Sequence, residues 1–140
     1  MTDHNVLKKL YRYCAYQDRC SYEVRGKLRK LEVPKHEYDS YLQQLIIEKF
    51  LDDYRFAESY ARGKFFNNKW GPNKIRLHLR QKDISDQLIS KSLKSISKKE
   101  ILFCIEQLLS KRANDSHKNR QYLYNKGFSI SDIDIVLNRK

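Results

Sequence analysis

Arginine and lysine are the side chains through which this sequence can do chemistry. Lys64, Lys69, Lys74, Arg76, Arg80 and Lys82 flank the aromatics Phe65, Phe66 and Trp70. That mixture suits a polyanion, because cations set phosphate contacts and rings can stack on exposed bases. Arg62 and Arg76 are the strongest contact candidates, since a guanidinium grips phosphate or carboxylate with two parallel donors and an ammonium does not. Catalysis finds no comparable support. None of His4, His36, His78 and His117 stands at i, i+4 from another His, Cys or carboxylate in a ligand pattern. Cys14, Cys20 and Cys104 are odd in number and fit no common zinc spacing. Cys14 and Cys104 lie among apolar residues and read as small core groups. The Asp52-Asp53 pair is explained by helix capping, because adjacent helical residues do not face each other. No nucleophile elbow, P-loop or Gly-x-Gly-x-x-Gly occurs. The expectation is a binding protein and not an enzyme, with no metal and no cofactor.

The charge balance points to an anionic partner without naming one. The 140 residues carry a formal net charge of +12. The excess is spread along the chain, net +3 over residues 1–50, +5 over 51–96 and +4 over 97–140, so it belongs to the folded body. Such a field meets nucleic acid, an anionic membrane surface or an acidic protein groove. No apolar run of membrane-spanning length and no signal peptide stand in the sequence. With the unpatterned cysteines, this predicts a reduced, cytoplasmic compartment. Hydrophobic residues make up 40% and the mean hydropathy is -0.81, which suits thin helical layers. Two prolines and four glycines are too few for the turns of an all-β fold.

The elements that position these side chains repeat. Val24-Arg25-Gly26-Lys27-Leu28, Ile75-Arg76-Leu77-His78-Leu79 and Asn119-Arg120-Gln121-Tyr122-Leu123 superimpose at offsets of 51 and 44 residues. Each reaches an apolar residue five positions on (Val33, Ile84, Phe128) and a leucine nine beyond that (Leu42, Leu93, Leu137). Leu28, Leu79 and Leu123 are predicted as buried knobs of each second helix, and Leu42, Leu93 and Leu137 as inward positions of each third. Asp52 is placed to cap a helix, with Leu51 and Phe56 as a hydrophobic staple. Ser97 and Glu100 form a capping box stapled by Ile96 and Ile101. Ser85 and Ser129 cap further helices, stapled by Ile84 with Ile89 and by Phe128 with Ile133. Gly71-Pro72 starts another, proline being comfortable in a first turn. Phe56 and Tyr60, at i, i+4, share a core-facing stripe. The alternation from Ser129 to Ile135 suits a strand by period, but its cap favours a short helix. The chain is thus all-α: three tandem three-helix repeats, residues 4–50, 51–96 and 97–140, in an elongated, curved array.

The central segment resembles the RecX family of recombinase regulators. Its L-D-D-x-x-F-A-x-x-Y stretch is Leu51, Asp52, Asp53, Phe56, Ala57 and Tyr60, and its G-P-x-x-I-x-x-x-L stretch is Gly71, Pro72, Ile75 and Leu79. The outer units are similar to the family's opening and closing helices, so the likeness covers nearly the whole chain. Where members often close the second helix with Lys-Gly, this chain has Leu31-Glu32 and Lys82-Asp83, and only the third unit keeps Lys126-Gly127. The resemblance implies that the protein modulates the recombinase RecA, typically inhibiting its DNA-dependent ATPase and strand exchange, by lodging in the groove of the RecA–DNA filament. Arg25, Arg62, Lys64, Lys69, Lys74, Arg76, Arg80 and Arg120 are the expected contact residues, on a monomer that touches DNA directly or through the filament. Two other readings stay open at this point: a stand-alone nucleic-acid-binding protein of helix-turn-helix-like units, and a helical scaffold with incidental charge.

Overall fold

The structure is a computed structural model that describes residues 3–139, so Lys140, the last residue of the third predicted unit, lies outside the described residues. Nine α-helices follow one another with no strand among the described residues. They are α1 (His4–Tyr16), α2 (Ser21–Lys30), α3 (Tyr38–Ile47), α4 (Asp53–Asn68), α5 (Pro72–Gln81), α6 (Asp86–Leu93), α7 (Lys98–Leu109), α8 (Ser116–Asn125) and α9 (Ile130–Leu137), with a single 3₁₀ turn at Lys35–Glu37. The alternating segment after Ser129 is therefore the helix that its cap predicts. The molecule exposes 9119 Å², against roughly 7,700 Å² for a compact monomer of this mass. The surplus is what an extended array of thin helical layers shows.

Local chemistry sets the helix starts. Asp52, Ser85, Ser97 and Ser129 each accept a hydrogen bond from the third residue of their own helix, and Ser97 with Glu100 closes a capping box. Gly71 precedes Pro72 at the first position of α5. Ile96 with Ile101, Ile84 with Ile89 and Phe128 with Ile133 are buried in the same core. The pair Leu51 and Phe56 departs from the expected staple. Both are buried, but Leu51 packs in the core of the first three helices and Phe56 in that of the remaining six. The chain crosses between cores at that point, so each residue is claimed by a different side.

Each second helix ends in the same way. Val33, Ile84 and Phe128 donate their N–H to the carbonyls of Leu28, Leu79 and Leu123 at 3.1, 3.2 and 3.2 Å, the six-to-one bond of a Schellman turn. That turn needs a left-handed residue just before the donor. Gly127 supplies it with φ 102°, while Glu32 (φ 60°) and Asp83 (φ 57°) adopt it despite their side chains. The missing glycines of the first two units thus leave the turn intact. Lys49 and Lys69 close α3 and α4 by the same conformation.

Leu28, Leu79 and Leu123 are fully buried, as their register predicts. Of the third-helix leucines, Leu42 is buried, but Leu93 and Leu137 are only half-buried at the margin. Ile89 fills the centre of α6, and Ile133 and Val136 that of α9. A short helix that crosses its neighbours at an angle buries its middle, and the terminal leucine slides to the edge.

The buried residues form two clusters. One joins Leu10, Leu28, Tyr41, Leu45 and their neighbours in α1–α3. The other runs continuously through α4–α9 and also takes in Cys20. The first joint is polar. Asp53 Oδ1 accepts from the backbone N–H and hydroxyl of Ser21 at 2.7 and 3.1 Å. Arg55 pairs with Asp18 at 3.1 Å, and Lys82 with Glu23 at 3.0 Å. The Asp52-Asp53 motif therefore caps two helices, Asp52 its own and Asp53 the start of α2. The second joint is a backbone contact. Gly71 N–H donates to the Lys126 carbonyl at 2.7 Å, and Asn73 N–H to that of Gly127 at 2.9 Å. A Cβ on Gly71 would lie 2.3 Å from the Gly127 carbonyl carbon. Besides easing the chain into α5, Gly71 thus lets the two units touch.

Candidate functional site

The predicted contact residues do not form one face. On α4, Ala61 and Phe65 point into the core, and the helical period sends Tyr60 and Lys64 to one flank and Arg62 and Phe66 to the other. Arg62 lies over the Phe66 ring at 4.9 Å and reaches the Ser95 carbonyl at 3.3 Å. It also faces Glu100, whose pKa is lowered by the Ser97 backbone N–H and hydroxyl of the capping box and by the Arg62 charge. Lys64 instead turns toward Trp70, 4.9 Å from its ring centre. On α5 the same division separates Lys74 and His78 from Arg76 and Arg80. Lys74 is 4.6 Å from Trp70, and the His78 ring lies 4.6 Å from that indole. Arg76 turns to Ser90 of α6 at 3.5 Å, and Arg80 pairs with Asp86 at 2.9 Å.

Arg25, Arg76 and Arg120 hold the same register in the three second helices but differ in what surrounds them. Arg120 donates from Nε and a terminal nitrogen to Asp134 Oδ1 at 3.2 and 2.7 Å, so its charge is largely spent. Arg76 meets a hydroxyl at the corresponding place. Arg25 is exposed and has no ion pair among the described residues. Lys69 is the left-handed cap of α4. Trp70 is half-buried over the Gly71-Pro72 turn and at the same time flanked by Lys64, Lys74 and His78. Among the described residues Arg62, Lys64, Lys69, Lys74 and Arg76 make no salt bridge, whereas Arg80 and Arg120 do.

Several interactions here carry no signal in the sequence. Lys82 is half-buried against Phe56 and Tyr60 and bonded to Glu23. Burial pulls its pKa down, but the bond and charge of Glu23 outweigh that and hold it above the ordinary lysine value. Cys20, fully buried in the larger core, has its thiol pushed up to about 11 by desolvation. No local pattern marks either, since both are decided across the joint between α2 and the α4–α6 helices. Arg19 and Tyr13 form the closest cation–ring contact among the described residues, 3.7 Å; their six-residue spacing is a pattern of no regular element. No group of three or more His, Cys, Asp or Glu among the described residues is placed to hold a metal ion, and no described helix is long and apolar enough to cross a membrane.

A sequence model described as "RecX, second three-helix domain" matches residues 52–93. A protein named Regulatory protein RecX from Oceanobacillus iheyensis is 29% identical over 145 residues, covering 97% of this chain and 53% of its own length. Its namesake from Geobacillus kaustophilus is 31% identical over 144 residues, covering 94% and 54%. The chain thus spans about half the length of the curated relatives it matches. The crystal structure of RecX from Lactobacillus salivarius superimposes with a TM-score of 0.82 at 29% identity, over 95% of each chain. A second RecX crystal structure shares the fold, with a TM-score of 0.83 at 24% identity over 96% of this chain. Sequence motif, nine-helix order and superposition agree: along nearly its whole length the chain is similar to the regulatory proteins of the RecX family.

Proposed function

We propose that this chain binds the filament that the recombinase RecA forms on DNA and modulates it, in the inhibitory sense, lowering its ATPase and strand-exchange activity. The observation that carries the reading is the state of the middle unit. It is the unit that the family model matches, it holds the largest charge excess, and Arg62, Lys64, Lys69, Lys74 and Arg76 make no salt bridge among the described residues. A positive, extended body can follow a groove lined by acidic groups and bound phosphate. In this reading residues 4–50, 51–96 and 97–140 are the three building units; Arg25 and Arg120 add contacts in the outer units and Arg80 a further one in the middle unit. The protein acts as a monomer in the cytoplasm, as a binder and not as an enzyme.

The test is co-sedimentation of the chain with RecA, with and without single-stranded DNA, alongside RecA's DNA-dependent ATPase. Binding to the filament with a fall in ATPase supports the reading. Binding to neither form of RecA refutes it. Salt-sensitive DNA binding that ignores RecA selects the stand-alone DNA-binding alternative. Charge reversal at Arg62 and Arg76 that leaves inhibition intact removes those residues from the contact face.

A further inference from the structure

The flank of the second helices that carries Lys27, His78 and Tyr122 lies away from the Arg25, Arg76, Arg120 row, and it holds a feature that recurs while its residues change. Fifteen, nine and one positions before the buried leucine stand Tyr13, Arg19 and Lys27 in the first unit, and Lys64, Trp70 and His78 in the second. In the first unit the ring is on α1 and the cation in the following loop, with Arg19 at 3.7 Å from the Tyr13 ring centre and Lys27 at 5.6 Å. In the second the two have exchanged places: Trp70 holds the loop position and Lys64 the helix position, 4.9 Å apart, with Lys74 at 4.6 Å. In the third the ring is Tyr122, and Arg112 of the loop covers it at 3.9 Å. Each unit therefore keeps a cation against an aromatic ring at the corner between its first and second helices. The rings are half-exposed and pack against the margins of the two cores, while the cations lie outside them.

We infer that these three corners form a track for single-stranded DNA. Arg19 donates its Nε to the Tyr13 carbonyl at 2.9 Å while its plane lies on the Tyr13 ring. The terminal N–H groups then have no acceptor among the described residues and are held ready for a phosphate. Lys64 and Lys74 likewise have no carboxylate among the described residues. The acids nearby are already engaged: Glu23 by Lys82, and Asp18 by Arg55 and Ser59. Tyr16 completes the case for an unpaired strand. It is 82% exposed and 5.9 Å from the Arg19 guanidinium, so its ring is open to a base, and base stacking on such rings is tolerant of sequence. A duplex or an acidic protein could use the cations but would leave the exposed Tyr16 ring idle. The inference extends the polyanion reading above and needs no recombinase, so the two can fail separately.

Trp70 is the one tryptophan of the sequence, which gives a direct readout. The full chain is titrated with oligo(dT) and with a duplex of equal length, following Trp70 fluorescence and the anisotropy of a labelled strand. The expected result is saturable quenching by oligo(dT) and weaker binding of the duplex. Lys64→Glu with Lys74→Glu should weaken oligo(dT) binding tenfold or more and flatten its salt dependence, by about 0.7 in the logarithmic slope for each phosphate no longer neutralised. Tyr16→Ala should cost about tenfold, one stacked base. Lys35→Glu with Lys94→Glu makes the same change in charge away from the corners and should cost much less. Melting curves confirm that each variant is folded, and the quenching needs no variant at all. Absence of quenching, equal affinity for the duplex, or corner variants that bind like the wild type would overturn the track. Loss of oligo(dT) binding with retained capture by RecA leaves the track standing and shows that the recombinase is recognised elsewhere.

Discussion

Replacing Gly71 by alanine adds one methyl group at the tightest point of the molecule. The added Cβ would stand 2.3 Å from the Gly127 carbonyl carbon and 2.4 Å from both the Gly127 oxygen and the Phe128 nitrogen. All three are backbone atoms, so no side chain can swing away, and the start of α5 must retreat by about 1 Å to reach ordinary contact distance. That retreat stretches the Gly71–Lys126 and Asn73–Gly127 hydrogen bonds, each a net contribution of about 1 kcal/mol. Overpacking beside the buried Phe128 adds about 1–3 kcal/mol. The expected loss is about 3–5 kcal/mol, a drop of about 10 °C or more in Tm for a chain of this length. Gly26→Ala and Gly63→Ala are the matched controls. They lie inside α2 and α4 with nothing within 4 Å of the added carbon, so they should stabilise by about 0.5–1 kcal/mol. The assay is urea unfolding followed by far-UV circular dichroism, with Gly71→Ala, Gly127→Ala and the double variant compared. Because both glycines serve one contact, the double variant should lose less than the sum, with the left-handed φ of 102° at Gly127 adding a backbone cost of its own. A Gly71→Ala protein within about 0.5 kcal/mol of the wild type, the scatter of an ordinary surface substitution, would refute the claim that this backbone contact closes the joint.

Other outcomes follow from the same geometry. Glu32→Gly and Asp83→Gly, which relieve left-handed backbone at φ 60° and 57°, should each raise stability by up to about 1 kcal/mol in the same unfolding assay. The Glu23–Lys82 pair makes stability depend on alkaline pH. The Lys82 pKa is raised in the fold, so its contribution is complete below the ordinary lysine value, about 10.4, and is lost as pH climbs through the higher folded value. Glu23→Gln should flatten that decline in Tm scans through and above the ordinary lysine value and lower Tm at neutral pH. Cys14, Cys20 and Cys104 are all buried, with thiol pKa values raised chiefly by desolvation. A disulfide-exchange reagent at about pH 8 should label them only as fast as the structure opens; rapid labelling of the native protein contradicts that burial.

What the sequence determined by itself is local. Asp52, Ser85, Ser97 and Ser129 cap their helices through bonds that span three residues, and Leu28, Leu79 and Leu123 repeat because the helical period and the Schellman turn after each are local too. From these the nine helices could be read, while the likeness to the RecX family rests on the stretches from Leu51 to Tyr60 and from Gly71 to Leu79. What only the tertiary structure decided lies between units. Ser21 and Asp53 are 32 residues apart, and Glu23 and Lys82 are 59 apart. Gly71 owes its bareness to Gly127. Leu51 and Phe56, neighbours in a predicted staple, separate because two cores compete for them. The charged surface follows the same rule. Arg62 and Lys64 are two residues apart, yet they face opposite flanks, and the arrangement of the neighbouring helices determines whether a cation meets a carboxylate, as at Arg120, or an aromatic ring, as at Lys64. Composition sets the net charge, while only packing sets where that charge is left unspent.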